Sequence, residues 1–577
     1  MSFAGWVQAA LLIAVVVALT PPLGRYMADV FGSRRVFLSP LVGPFERGLY
    51  RLMRVDPDRE QDWKAYACSL LVFSLVSWLA LYLLLRTQGI DPLNPEGFHS
   101  APWDLSFNTA SSFVSNTSWQ FYGGETTLSY FVQMGGIVVA SFTSGAVGIA
   151  SAIALIRGLA RRDSGLLGNF WTDLVRGTLY VLLPISIVAA LVLVSQGVIQ
   201  NLSGSLPIVG LGHTTQTLAM GPVASQEAIK LLSGDGGGFF NVNSAYPFEN
   251  PTGLSNFVEM LLMLLVPAGL TYTFGHMVGR RREGWAVFAA MLALFVVGTV
   301  VISAAEVHGS PAIHAAGAHG PNLTGKELRF GAPGSALFDG TGTASGDGAV
   351  NSALESLTGL GAAVPMANIM SGEVIFGGPG SGLYGMLLIV LIAVFVAGLM
   401  VGRTPEYLGK KIGIREMKLA TLGTLITPAM VLVTTALAVA TRLGRRSLFA
   451  HGPQGYAESL YAYLSQGNNN GSALAGYTGF IQPNAPGNSG SYGISFADLL
   501  GGATMTVGRF VPILFVLALA GSLGARRSVP RGLGTLRTDN PTFVAFLLGF
   551  VILFALLNYL AALCLGPLAE SLGGQLY

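Results

Sequence analysis

Ten apolar runs set the terms for this sequence, at about residues 5–24, 66–86, 129–155, 174–195, 255–278, 285–304, 382–402, 419–440, 496–521 and 542–566. Each is long enough to cross the roughly 30 Å hydrocarbon core of a bilayer as a helix. Lipid offers the backbone no hydrogen-bond partners, so runs of this length fold as a helical bundle. Only 11% of the residues are charged, against about 25% in a soluble domain, which points to an all-α integral membrane protein. The first run has no basic segment before it and reads as a first transmembrane helix, not a cleaved signal. A net charge of +3 gives no footing for nucleic-acid binding. Cys68 and Cys564 both lie inside apolar runs, so neither a disulfide framework nor a metal knuckle is expected.

The connections after runs 1, 3, 5, 7 and 9 carry 24 of the 32 Lys and Arg. By the positive-inside rule these connections are cytoplasmic, and both termini face outward. The long basic stretch Arg25–Lys64 then lies on the cytoplasmic side as a loop, where its cations could meet anionic lipid head groups.

Between runs on the outer side lie four polar turns: Ser115-Asn116-Thr117-Ser118, Ser233-Gly234-Asp235-Gly236, Ser345-Gly346-Asp347-Gly348 and Asn468-Asn469-Asn470-Gly471. Aligned on the carboxamide or carboxylate, Asn116, Asp235, Asp347 and Asn470 are spaced by 119, 112 and 123 residues. Such a period indicates a structural repeat. Each turn follows a short segment of half-helix length: Trp103–Val114, Pro222–Leu232, the glycine-rich Gly334–Ala344, and Gly455–Leu464. The expected fold is four repeats of span, re-entrant half-helix and span around one pore, with one extra helix at each end. The boundaries are 1–65 for the first helix and basic loop, 66–160, 161–282, 283–416 and 417–525 for the pore repeats, and 526–577 for the last loop and helix.

Polar backbone is tolerated at membrane depth only where protein buries it or a wet cavity receives it. Half-helices descending from outside aim their negative C-terminal ends at the bilayer centre. Carbonyls presented by the turns can replace the hydration shell of a monovalent cation. As single features these turns would read as ordinary external loops; the four-fold repetition favours an ion filter.

Several stretches resemble one family. Gly221-Pro-Val-Ala-Ser-Gln-Glu-Ala-Ile-Lys230, Gly236-Gly-Gly-Phe-Phe-Asn241, Pro247-Phe-Glu-Asn-Pro-Thr252, Gly402-Arg-Thr-Pro-Glu-Tyr-Leu-Gly-Lys-Lys411 and Asn468-Asn-Asn-Gly-Ser-Ala473 are similar to the KdpA family. Its members are the potassium-translocating subunits of bacterial Kdp ATP-driven uptake complexes. Asn116-Thr-Ser-Trp-Gln-Phe-Tyr-Gly-Gly-Glu-Thr-Thr-Leu-Ser-Tyr130 fits the same family. The resemblance implies a potassium-channel-like fold in the bacterial inner membrane, with K+ as the transported ion and no organic cofactor. It also implies a P-type ATPase catalytic subunit and small accessory membrane subunits as partners, with lipid around them. Potassium would enter a filter from outside and leave sideways through an intramembrane tunnel to the ATPase subunit. Carried over, the filter comprises Ser115, Asn116 and Thr117, Gly234, Asp235 and Gly236, Gly346, Asp347 and Gly348, and Asn469, Asn470 and Gly471. Thr117 stands where the other repeats have the filter glycine. A glutamine just below the filter falls on Gln120, and the arginine of the gating region below the pore on Arg403. The chain departs from the family pattern at Asp235 and Asp347, where uncharged residues are expected. Those carboxylates could concentrate cations at the pore or bond back to their own turns.

Neither a phosphate-binding loop of the G-x-x-x-x-G-K-[ST] kind nor the Asp-Lys-Thr-Gly phosphorylation signature of P-type ATPases is present, so ATP hydrolysis is expected to belong to a partner. A channel or ion-coupled uptake protein of the same four-repeat architecture is the alternative. His308, His314 and His319 share an external loop and are expected to be structural bystanders, not metal ligands. Arg509 lies inside the ninth run, and a charge at that depth marks a functional position facing the pore or a subunit.

Overall fold

In the computed structural model the described residues are 3–566, apart from 211, 213, 310–313, 316, 318, 480–494, 529 and 531–534. All ten apolar runs are helices of spanning length: Gly5–Phe31, Trp63–Ile90, Val132–Ala160, Phe170–Ser195, Gly253–Met277, Arg281–His308, Ser381–Met400, Ile414–Ala440, Phe496–Gly524 and Pro541–Leu565. The four short segments are helical as well. They form half-helices Trp103–Val114, Val223–Leu232, Gly331–Ala344 and Gly452–Asn468, each between an even-numbered span and the next. Gly331–Ala344 contains four glycines, each of which weakens an isolated helix by up to about 1 kcal/mol. It is buried almost throughout, so tertiary packing holds the helix that its own propensity does not.

The spans sort into two layers. In the third, fifth, seventh and ninth, 83, 72, 67 and 61% of the most apolar window is buried, against 22, 39, 44 and 33% in the second, fourth, sixth and eighth. The second span of every repeat is therefore an inner helix and the first an outer, lipid-facing one. Such helices lack a hydrophobic drive to associate and pack closely where side chains are small. A Cβ on Gly24 of the first span would sit 2.5 Å from the Gly269 carbonyl oxygen of the fifth, and a Cβ on Gly158 of the third 2.7 Å from Ala520 Cα of the ninth.

The basic face carries structure that the sequence reading missed. Arg25–Lys64 is not a plain loop. The first span continues to Phe31, and Ser39–Met53 forms a separate surface helix. That helix ends at Arg54, whose left-handed backbone (φ 53°) returns its N–H to the Tyr50 and Arg51 carbonyls. Glu46 on the helix is clasped by Tyr50, Arg176 and Tyr180. Burial alone would raise the pKa of Glu46; these three hydrogen bonds and the Arg176 charge outweigh it and hold the pKa below 4.5. Strands Glu406–Tyr407 and Lys410–Lys411 pair as a hairpin. Lys410 Nζ donates to the carbonyls of Gly158 (2.9 Å), Leu523 (2.6 Å) and Arg161, tying together the ends of the third and ninth spans.

Candidate functional site

The turns after the half-helices are closed by one shared backbone pattern. The amides of Thr117, Asp235, Asp347 and Asn470 each donate to a carbonyl five residues back, at Ser112, Lys230, Gly342 and Ser465. The residue before each lies in the left-handed region: Asn116 (φ 61°), Gly234 (59°), Gly346 (67°) and Asn469 (64°). Backbone geometry thus makes Thr117, Asp235, Asp347 and Asn470 equivalent, followed by Ser118, Gly236, Gly348 and Gly471. This corrects the side-chain alignment in the first repeat by one residue. Thr117 does not occupy the glycine position; Ser118 does, with a φ of 56°. Matching Asn116 to Asp235 by chemistry hid the match that the hydrogen bonds enforce.

These four positions meet in a ring. A Cβ on Gly236 would lie 2.2 Å from Gly348 N, one on Gly348 would lie 3.0 Å from Gly471 Cα, and one on Gly471 would overlap Thr117 O and approach Ser118 C at 3.3 Å. A Cβ on Gly237 would sit 3.1 Å from Ser118 Cβ, which closes the circle. Glycine is required here because backbone packs on backbone.

Hydrogen bonds tie each turn to the next. Asn116 Nδ2 donates to Gly234 O at 2.9 Å and Ser118 Oγ donates to Asp235 Oδ1. Gly348 N donates to Asp235 O at 3.4 Å, Asn470 Nδ2 to Asp347 O at 3.5 Å, and Asn469 Nδ2 to Thr117 Oγ1 at 2.8 Å. Ser115 Oγ bonds Thr117 Oγ1 at 2.6 Å. All the filter residues expected from sequence are brought to this ring, and all but Gly471 are buried.

The two aspartates use their side chains within the ring. Asp347 Oδ1 accepts the amide of Ala349 in its own turn (2.9 Å), and Asp235 Oδ1 accepts the hydroxyl of Ser118 in the preceding repeat. Gln120 lies beyond Ser118, on the segment leading away from the half-helix, where its Oε1 accepts Gly238 N at 2.9 Å. This attaches Gln120 to the segment that follows the ring, not to the half-helix end below it.

Arg509 donates to Asn116 Oδ1 at 3.3 Å and to Ser144 O at 3.1 Å, so the intramembrane charge is anchored to the first turn. It lines a cavity of about 80 Å³ between the end of the fourth half-helix and the turn after helix Gly359–Met370, together with Glu373, Tyr384 and Asn469. Arg403 stands elsewhere: it is exposed after the seventh span and reaches Thr535 O at 3.3 Å.

Comparisons with known proteins show which family the chain is similar to. The family described as KdpA, potassium-transporting ATPase A subunit, matches residues 10–572. The chain belongs to the KdpA family. A potassium-transporting ATPase potassium-binding subunit from Granulibacter bethesdensis is 51% identical over the full length of both chains. One from Sorangium cellulosum is 51% identical over 99% of each. The crystal structure of the potassium transporter TrkH from Vibrio parahaemolyticus superposes with a TM-score of 0.52 at 15% identity, covering 90% of this chain and 98% of that one. At that identity the likeness establishes the fold.

This KdpA-family chain also contains a residue that sequence reasoning passed over. Lys230 is buried in the second half-helix, its Nζ 2.8 Å from Gly237 O, 3.0 Å from Asn243 Oδ1, 2.6 Å from Glu249 Oε1 and 2.7 Å from Glu227 Oε2. It braces the backbone just past Gly236 from behind. Its sequence signal is a Glu–Lys pair three apart in an otherwise uncharged half-helix. His308, His314 and His319 assemble no cluster of three metal-ligating groups among the described residues.

Proposed function

We infer that this chain is the potassium-binding subunit of a potassium-transporting ATPase, and that the ring of four turns is where it binds the ion. The observation that carries the reading is the cyclic backbone contact of Ser118, Gly236, Gly348 and Gly471 in a chain of this family. Backbone oxygens of fixed geometry can substitute for the water around a dehydrated K+. The filter comprises Ser115 to Ser118, Gly234 to Gly236, Gly346 to Gly348 and Asn469 to Gly471. The half-helices bring their C-terminal ends, and hence negative dipole ends, to the same place.

Potassium enters from the outer side of a bacterial inner membrane, on which both termini lie, and passes sideways through an intramembrane path to a P-type ATPase subunit. We assign the start of that path to the cavity beside Glu373 and Arg509. Gln120 and Arg403 are assigned to the mouth of the filter and to the gating segment at the opposite face. Small accessory membrane subunits complete the complex, and lipid covers the outer spans. The domain boundaries follow the four repeats, with residues 1–65 and 526–577 flanking them. The alternative is a self-sufficient potassium channel or ion-coupled uptake protein of the same four-repeat architecture.

Reconstitution separates the two. The purified chain in vesicles is expected to drive no uptake against a gradient, and to do so once an ATPase subunit and ATP are supplied. Concentrative K+ uptake by the chain alone would overturn the subunit reading.

A further inference from the structure

The surface helix Ser39–Met53 is amphipathic and unpartnered on its apolar side: Leu41 and Phe45 are each 68% exposed. Between it, the end of the first span and the fourth span lies a cavity of about 500 Å³ lined by Arg34, Arg35, Arg47, Arg176, Glu46 and Tyr180. The two acids near it are already engaged. Glu46 accepts from Arg176, Tyr50 and Tyr180, and Asp29 from Arg34 at 3.1 Å. Arg35 and Arg47 have no carboxylate partner among the described residues. Four arginines against two acids leave the pocket about two charges positive. Gly43 forms its floor, and a Cβ there would stand 3.4 Å from an Arg47 guanidinium nitrogen and 3.8 Å from the Tyr180 hydroxyl.

A second cavity of about 680 Å³ adjoins the same helix and is lined almost wholly by apolar side chains, among them Leu41, Phe45, Leu49, Leu179, Leu183 and Ile187. The two cavities follow each other along the fourth span. Arg176 and Tyr180 face the basic pocket, while Leu179, Leu183 and Ile187 line the groove. From Arg176 to Ile187 is roughly 16 Å at 1.5 Å per residue, comparable with half of a hydrocarbon core about 30 Å thick. The order from basic face to membrane interior is therefore cationic pocket, then apolar groove.

We propose that this is a binding site for one anionic phospholipid, with its phosphate held by Arg35 and Arg47 beside Arg34 and Arg176 and an acyl chain in the groove. A free phosphate ester would satisfy the pocket and leave the groove empty; an apolar protein surface would satisfy the groove and leave two guanidiniums unpaired. Only a ligand with an anionic head and an apolar tail fills both, and the bilayer supplies it at the depth where the site lies. The proposal rests on the membrane-spanning architecture and not on the ion the chain carries.

Native mass spectrometry of the detergent-purified full chain, titrated with phosphatidylglycerol or phosphatidylcholine, tests it. Each cation near the surface is worth about fivefold in affinity. Arg35→Gln with Arg47→Gln is therefore expected to weaken phosphatidylglycerol binding roughly thirtyfold and to leave phosphatidylcholine unaffected. Both side chains are exposed and outside the ion-binding ring, so K+ binding by the double variant stays as in the unsubstituted chain. Leu41→Asn with Phe45→Asn is expected to weaken phosphatidylglycerol as well, while tail-less glycerophosphoglycerol does not compete at matched concentration. Phosphatidylglycerol binding unchanged by the arginine pair would overturn the proposal. So would competition by the tail-less ester equal to that of the lipid, or, in the assembled complex, cross-linking of the Arg47→Cys variant through that position to a partner subunit with loss of bound lipid.

Discussion

Replacing Gly236 with alanine puts the ring itself under test. Gly236 has a φ of +85°, and its new Cβ would stand 2.2 Å from Gly348 N and 2.5 Å from Gly348 Cα. Left-handed backbone costs an L-residue roughly 1–2 kcal/mol, and overpacking in a close-packed site adds typically about 1–3 kcal/mol. The neighbour is backbone and cannot rotate away. The sum, about 2–5 kcal/mol, drawn from the ion-bound state, corresponds to a loss of K+ affinity of at least roughly thirtyfold. The assay is K+-stimulated ATP hydrolysis by the assembled complex, read as the half-saturating K+ concentration. Gly549→Ala in the tenth span is the control, because nothing lies within 4 Å of its Cβ position. A Gly236→Ala chain that inserts, assembles and keeps its half-saturation within threefold of the unsubstituted value would refute the packing argument.

Other outcomes follow from the same geometry. Asp347→Asn keeps an oxygen able to accept the Ala349 amide, so K+ affinity is expected to change by less than roughly threefold; a tenfold loss would show that the carboxylate charge acts on the ion. Lys230→Met leaves Glu227 and Glu249 buried without their cation, and breaking such a pair costs about 3–5 kcal/mol. A clear fall in the thermal midpoint of the solubilised chain is the check, and an unchanged midpoint would argue against the brace. For Glu46 the folded-state pKa lies below 4.5, so its ionised form stabilises the fold at pH above that value and the contribution disappears as pH falls through the folded pKa. The difference in thermal midpoint between the unsubstituted chain and Glu46→Gln should therefore be constant near pH 7 and shrink on acidification below 4.5; a pH-independent difference would contradict the assigned hydrogen bonds.

Much of the fold is legible in the sequence because lipid leaves few choices. Ten runs of spanning length and four polar turns between them fix the spans, and even the glycine-rich Gly331–Ala344 falls where the repeat requires a half-helix. What is not legible has a common physical origin in the backbone and in distant contacts. The register of the first turn is set by the Thr117 amide reaching the Ser112 carbonyl, and no side-chain pattern reports that bond. Ser118 was passed over for the same reason, since a serine at φ 56° does the work that glycine does elsewhere in the ring. The attachment of Arg509 to Asn116 joins residues 393 apart, and the grip of Lys230 on Gly237 depends on how one turn folds back over its own half-helix. In the surface helix Ser39–Met53 the basic residues of Arg25–Lys64 mask an apolar stripe, although the spacing of Leu41, Phe45, Leu49 and Leu52 is helical.

Locating the ion is the most direct test of the central claim. Rubidium can stand in for potassium as an anomalous scatterer, and crystals of the assembled complex grown with Rb+ would reveal its position. The account predicts an anomalous peak on the axis enclosed by Ser118, Gly236, Gly348 and Gly471, lost when Na+ replaces Rb+. Rubidium bound elsewhere in the chain, with that axis empty, would contradict it.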